Sequence, residues 1–172
     1  MLAFRDIRAD EIECRVQSVK KNGLFLLLYK DARTDQNILD ETVGPENWAC
    51  RFYEQKGILF CEVGINTNFL NPELPDRWVW KADGGSESLT EAEKGACSDA
   101  RKRAGFSWGI ARELYTTPFI FIPSSKCDIT EGGKCFDKFE VEKIRIEGKR
   151  ITALAIKNVT KGCRAFVWQK EE

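Results

Sequence analysis

The densest run of positive charge in the sequence is the triplet Arg101, Lys102 and Arg103. Lysine and arginine side chains can neutralise the phosphates of a nucleic acid without reading its bases. Consecutive residues of a helix point about 100° apart, so part of the triplet must meet solvent or a partner. The alternative is an ordinary solvated helix surface, with Asp99 and Glu113 as ion-pair partners. The pattern alone does not decide between these two interpretations.

Acidic residues cluster just before this triplet and raise a second possibility. The carboxylates are Asp83, Glu87, Glu91 and Glu93. Carboxylates can hold Mg²⁺ for phosphodiester cleavage, which leaves open a metal-dependent nuclease. Acidic residues also favour helix starts through capping and the helix dipole, which is the simpler explanation for Glu91 and Glu93. A protein-interaction module that binds no DNA is the third class.

Histidine is absent, which removes the commonest general base and the commonest zinc ligand. The seven cysteines show no CxxC spacing, and Cys127 with Cys135 makes a poor zinc site without further Cys or His ligands. Free, buried thiols of a reducing compartment are expected at Cys14, Cys50, Cys61 and Cys97. No catalytic residue, metal or cofactor is predicted.

The composition is typical of one globular domain. The chain has 172 residues, 42% of them hydrophobic, and Lys plus Arg equals Asp plus Glu at 27 each. With no net charge, a DNA site must be a local patch. No run approaches the roughly 18 apolar residues that span a bilayer, and the N-terminus is too acidic for a signal peptide. We expect a single domain over residues 1–172, in the cytoplasm and without a membrane partner.

Alternation and turn residues predict the elements of the first half. Residues 12–19 alternate as a strand, and the apolar run 24–29 is either a buried strand or the lead into a helix. Residues 31–43 are predicted to form a helix that begins at a cap-like Asp31 and ends before Gly44 and a proline. A meander of three strands is predicted at 48–53, 58–65 and 77–81.

The longest predicted helix covers residues 90–115 and opens with a capping box formed by Thr90 and Glu93. Small residues recur along it at helical spacing, which predicts a very close packing partner. Further strands are predicted at 119–122, 139–146, 150–156 and 162–169, the middle two as a hairpin. The predicted fold class is α+β, with antiparallel sheet and two helices.

The central part of the chain resembles phage and bacterial members of the Rad-fifty-two superfamily of single-strand annealing proteins. The main block is residues 77–115, RWVWKADGGSESLTEAEKGACSDARKRAGFSWGIARELY. A tryptophan-bearing strand leads there through an Asp-Gly turn into a Lys-Gly, Ser-Asp, Lys-Arg-Ala helix. The block 29–48, YKDARTDQNILDETVGPENW, is similar to the family's first helix and its exit into the sheet. Two blocks in the right order and spacing are more specific than either alone.

The resemblance implies a twisted antiparallel meander packed on one long helix, with a shorter N-terminal helix and a C-terminal β-hairpin. Subunits would form a homo-oligomer, a ring or helical filament, whose basic groove holds single-stranded DNA by its phosphates and displays the bases.

The function that the resemblance implies is annealing of complementary strands in homologous recombination or double-strand break repair. It would act in the cytoplasm of a bacterial host cell, with a phage or host exonuclease or single-strand-binding protein as a further partner. A Mg-dependent nuclease acting on recombination intermediates is the alternative.

The resemblance also assigns DNA-binding residues. The Lys-Arg pair of the family's long helix matches Lys102 and Arg103. One turn beyond the lysine the family has a further basic residue, where this chain has Phe106. The groove is therefore expected to be less charged there, or to stack a base.

On the first helix, eukaryotic members of the family carry an arginine where this chain has Thr34. The adjacent Arg33 could reach the same phosphate, and Lys30 lies nearby in the sequence. Both are predicted DNA-binding residues.

The predicted strand 77–81 ends at Lys81, a further predicted groove residue. Alternation places Trp78 and Trp80 on one face and Val79 with Lys81 on the other. The tryptophans could stack bases, but such a pair is more often core under a helix, which is the expectation adopted for them.

Overall fold

The computed structural model describes residues 2–85 and 92–171, which fall into two compact units. The helix–sheet unit contains residues 31–111 together with 2–5. The six-stranded unit contains residues 6–30 and 112–171. The main segment of the helix–sheet unit, residues 31–111, thus lies in the sequence between the two segments of the six-stranded unit. In chain order the elements are β1 (Glu13–Lys20), β2 (Gly23–Tyr29), α1 (Ala32–Val43), β3 (Trp48–Gln55), β4 (Ile58–Asn66), β5 (Trp78–Gly84), α2 (Ala92–Trp108), β6 (Ile120–Pro123), β7 (Phe139–Glu147), β8 (Arg150–Asn158) and β9 (Cys163–Gln169).

In the helix–sheet unit, β3, β4 and β5 form an antiparallel meander. Lys56 and Gly57 turn β3 into β4, both at positive φ (53° and 72°), as a two-residue hairpin turn requires. Helix α2 packs against β4 and β5, and α1 packs against α2 and β3. Helix α1 starts at Asp31, whose carboxylate accepts a hydrogen bond from the Thr34 amide, and stops at Gly44 with φ 83°.

Small residues let α2 approach this sheet closely. Ala96, Ala100 and Ala104 are buried along one face of the helix. A Cβ added to Gly85, directly after β5, would lie 2.2 Å from the Ala96 carbonyl oxygen and 2.7 Å from the Ala100 nitrogen. The close packing partner that the small residues of α2 predict is therefore the end of β5.

The six-stranded unit is a single antiparallel sheet with the strand order β6-β2-β1-β7-β8-β9. Its two edge strands, β6 and β9, also contact each other, so the sheet curls towards closure. Fully buried aliphatic side chains from three of the strands form its core, among them Leu24, Ile122 and Ile156.

The α+β prediction, with two helices and antiparallel sheet, is confirmed. The apolar run at 24–29 is a strand, and the predicted C-terminal hairpin is β7 with β8. The predicted single meander covers only three of the nine strands in the described ranges, because the other six form a second sheet. That sheet depends on pairings between distant segments, such as β1 with β7, which local patterns do not reveal. One annealing domain over residues 1–172 stays a prediction.

Helix α2 is shorter than predicted at its C-terminal end. It stops at Trp108 rather than near residue 115, because Gly109 and Ala111 adopt positive φ (100° and 53°). The predicted capping box, formed by Thr90 and the Glu93 side chain, lies outside the described residues. Over the residues described, neither helix is long and apolar enough to cross a bilayer.

All seven cysteines are free thiols. Cys61 is buried as predicted, whereas Cys14 and Cys50 are half-buried. The predicted burial of Cys97 is wrong, because it is exposed beside the alanine face of α2 rather than on it.

We predict that Gly85→Ala lowers the free energy of unfolding by about 1–3 kcal/mol, since the added methyl group meets backbone atoms of α2. The matched control is Gly132→Ala, whose Cβ would meet only Thr130 Oγ1, at 3.9 Å, and which should be nearly neutral. Urea unfolding followed by circular dichroism measures both. Equal midpoints for the two variants would contradict the close approach.

Candidate nucleic-acid interface

The basic triplet of α2 is divided between the sheet and solvent. The guanidinium of Arg101 lies over the Phe52 ring, 5.4 Å from its centroid, so this side chain faces the sheet. Arg103 is exposed, and its Nε lies 3.1 Å from Oδ1 of Asp83 on β5. Lys102 is half-buried and makes no hydrogen bond or ion pair within the part of the chain that is described. Of the three charges, that of Lys102 is the one left for an external anion.

Lys81 is engaged with the end of α2. Its Nζ donates a hydrogen bond to the Ser107 carbonyl oxygen at 3.0 Å and lies 4.4 Å from the centroid of the Trp108 ring. A cation at a helix C-terminus satisfies a carbonyl that has no partner within the helix and is favoured by the helix dipole. Lys81 therefore stabilises the contact between β5 and the C-terminal end of α2, whether or not it also binds a phosphate.

The other two predicted DNA-binding residues differ in their surroundings. Arg33 is exposed on α1 and has no hydrogen bond or ion pair to any residue that the structure describes. The neighbouring Thr34 is buried. Lys30 belongs to the six-stranded unit and is only 8% exposed, which leaves little of its side chain for a phosphate.

The helix–sheet unit therefore brings Lys81 and Arg103 to the contact between α2 and β5, with Lys102 next to Arg103 on the helix. Arg33 is carried by α1, which packs against α2 in the same unit. Phe106, at the position where the family has a basic residue, is half-buried.

The tryptophan pair of β5 corrects the sequence-based expectation. Lys81 contacts Trp108, so α2 covers the Val79 and Lys81 face of the strand. Trp78 and Trp80 lie on the opposite face, where their rings stack with centroids 5.9 Å apart and Trp78 is 37% exposed. The prediction that this pair is core under a helix is wrong, because α2 packs on the face that carries Val79 and Lys81.

Sequence reasoning missed the partners of these tryptophans on the same open face. The Arg51 guanidinium lies 4.3 Å from the centroid of the Trp80 ring, and its Nε lies 2.6 Å from Oε2 of Glu62. Tyr53 stacks on Phe60 with ring centroids 5.4 Å apart. Alternation along β3 and β4 would have placed these residues together once the helix-covered face was known.

The acidic cluster is only partly described. Asp83 is held by Arg103, while Glu87, Glu91 and the Glu93 side chain lie outside the described residues. Within the described ranges, no three Cys, Asp or Glu side chains are grouped so that they could hold a metal ion.

Comparison with known proteins adds no relative. No family model matches the chain, and neither a curated protein nor a solved structure matches it.

We predict that Lys81→Met lowers the free energy of unfolding by about 1–2 kcal/mol, because a charged hydrogen bond and a cation–π contact are lost while the apolar stem is kept. The control is Lys126→Met, at an exposed lysine of the six-stranded unit, which should change stability little. Urea unfolding compares the two variants. An unchanged free energy of unfolding for Lys81→Met would contradict a stabilising role of this lysine.

Proposed function

We propose that this protein binds single-stranded DNA without sequence preference and anneals complementary strands as a homo-oligomer, with no catalytic chemistry of its own. The observation that carries the proposal is Lys102, a lysine whose charge is uncompensated among the described residues. It lies beside the exposed Arg103 on a helix packed against a three-stranded meander, the local arrangement that the family resemblance implies.

The ion pair of Arg103 does not prevent it from binding a phosphate. The Arg103 side chain is 48% exposed and that of Asp83 is 30% exposed. Such surface pairs contribute only about 0–1 kcal/mol, so exchanging the carboxylate for a phosphate costs little. A phosphate between Lys102 and Arg103 would gain two charged contacts with no base read, which is what sequence-independent binding requires.

Apolar side chains exposed on the helix–sheet unit support the homo-oligomer. Exposed large side chains of this unit include Trp78, Tyr53, Ile58, Leu70 and Leu74. Of these, Trp78 and Tyr53 share the sheet face opposite α2 with Trp80 and Phe60. A contiguous exposed aromatic surface of this kind is typical of an interaction site. In a ring or filament, neighbouring copies would cover part of it and leave the basic side of α2 to the DNA.

We predict that the double variant Lys102→Gln, Arg103→Gln binds a poly-dT oligonucleotide more weakly than the wild type. The loss of affinity should be the same for oligonucleotides of other sequences. The slope of log affinity against log salt should fall by roughly 1.4, because each lost single-strand phosphate contact removes about 0.7. Fluorescence anisotropy at several salt concentrations measures both quantities. The matched control is Lys126→Gln, at an exposed lysine of the other unit, which should keep the wild-type affinity and slope.

An unchanged slope in the double variant would reject the site. Incubation of the same oligonucleotide with Mg²⁺ tests the nuclease alternative, since cleavage that Asp83→Ala abolishes would replace the annealing proposal.

We also predict a particle well above a dimer, because the exposed apolar surface needs partners. Light scattering at micromolar concentration, with and without DNA, measures its mass. A value near the 19.7 kDa of one chain under both conditions would contradict the homo-oligomer.

A further inference from the structure

Two cysteines face α2 from neighbouring strands of the helix–sheet unit. In the β3–β4 register, Cys50 is opposite Val63 and Cys61 is opposite Phe52. Each cysteine is two positions along its strand from the partner of the other, so both thiols lie on one face of the sheet as diagonal neighbours. Cys61 is fully buried, whereas Cys50 is half-buried and keeps access to solvent.

Arg101 brings a positive charge to this pair. Its guanidinium lies over the ring of Phe52, which is directly opposite Cys61 and two residues from Cys50. The Nε of Arg101 is buried and makes no hydrogen bond to any described residue. Leaving a buried guanidinium N–H without an acceptor is costly, and a thiolate at Cys50 would place a negative charge near it.

Other charged groups lie between this face of the sheet and the two helices. They are Arg103 from α2, Lys81 and Asp83 from β5, and Asp40 and Asp35 from α1. Asp35 is buried against Gly105 of α2, one helical turn beyond Arg101. Asp83 pairs with Arg103, Lys81 donates to the Ser107 carbonyl oxygen, and Asp40 accepts a hydrogen bond from Trp48 Nε1. Arg101 is therefore the cation that acts on the two thiols.

We propose that Cys50 is a modification site for soft electrophiles, peroxides in particular, and that Cys61 and Arg101 hold it as the reactive thiolate. The sulfur attacks one peroxide oxygen, the S–O bond forms, and the O–O bond breaks. The second oxygen leaves as hydroxide, or as water after taking a proton from solvent. Sulfur loses two electrons to the peroxide, and the product is a sulfenic acid.

The electrostatics of the cluster agree with this geometry. The Cys61 thiol donates to the Cys50 sulfur, and with the nearby Arg101 it lowers the pKa of Cys50 to about 6 although burial opposes the shift. The same hydrogen bond, together with burial, raises the pKa of Cys61. At two other cysteines burial is the largest effect, and it raises the pKa of Cys14 to about 12 and that of Cys127 to about 11.

Cys61 acts here as a hydrogen-bond donor and not as a disulfide partner. Diagonal residues of an antiparallel pair have Cβ atoms somewhat under about 7–8 Å apart, whereas a disulfide needs about 3.5–4.5 Å. Closing that gap would shear β3 against β4. The expected product is thus a modified Cys50 beside an intact Cys61 thiol.

The test is the pH dependence of alkylation by iodoacetamide, followed for each cysteine by peptide mass spectrometry on the folded protein. The rate at Cys50 should be half-maximal near pH 6 and flat above pH 7. At pH 6, Cys50 should react about tenfold faster than an ordinary cysteine. Its larger thiolate fraction raises the rate, and the lower intrinsic nucleophilicity of that thiolate offsets part of the gain. If solvent exposure alone decided the rate of alkylation, Cys97 would react before Cys50, because Cys97 is the exposed cysteine.

Variants assign the two supporting groups. Arg101→Gln and Cys61→Ala should each move the midpoint at Cys50 upward, Arg101→Lys should restore part of the shift, and Cys97→Ala should leave it unchanged. Dimedone capture after addition of hydrogen peroxide should label Cys50 before the other cysteines. A Cys50 that does not react in the wild-type protein, or reacts with a midpoint at or above pH 8, overturns the proposal without bearing on DNA binding.

Discussion

Contact between the backbone of α2 and the end of β5 governs the helix–sheet unit. Gly85 leaves no room for a side chain against Ala96 and Ala100, so the helix approaches the sheet at backbone distance. This close approach fixes both the position of α2 and its rotation about the helix axis. Only the face with small residues can lie against the sheet at this distance, because a larger residue there would push the helix away. The direction of each described side chain among residues 95–108 then depends on its offset from the alanine face.

The basic triplet follows directly from that rotation. Arg101 is turned onto the β3–β4 part of the sheet, Arg103 reaches Asp83 on β5, and Lys102 remains between them without a partner in the described residues. Three side chains of the same charge therefore have three different surroundings. We propose that Arg101 supports the thiol pair and that Lys102 is available to a phosphate, whereas Arg103 makes a surface ion pair that contributes little to stability.

The contact between α2 and the end of β5 also determines which face of the sheet is covered. With α2 on the face that carries Lys81, the aromatic residues of β5 are left on the open side, where Arg51 lies over Trp80. Gly64 faces Trp80 across the strands, and an added Cβ would lie 2.6 Å from that ring. Gly64 therefore lets the Trp80 ring lie flat against β4, which leaves an aromatic surface for the assembly that we propose.

Local patterns in the sequence determined the elements of this protein. Alternation predicted β3, β4, β5 and the β7–β8 hairpin, and the cap at Asp31 with the stop at Gly44 predicted α1. These features depend on residues within a few positions of one another, where period and turn chemistry act directly. The family resemblance added Lys102 and Arg103 as a hypothesis, which contacts within one chain do not test.

Only the tertiary structure decided which face of each element is covered and which strands pair over long distances. The sequence predicted two faces for β5 but not that α2 would take the one with Lys81, so the environment of Trp78 was wrongly predicted. It likewise left Cys50, Cys61 and Arg101 as three unrelated residues, although the β3–β4 register and the rotation of α2 bring them together. Both outcomes follow from packing between segments far apart in the chain, where periodicity carries no information about the partner.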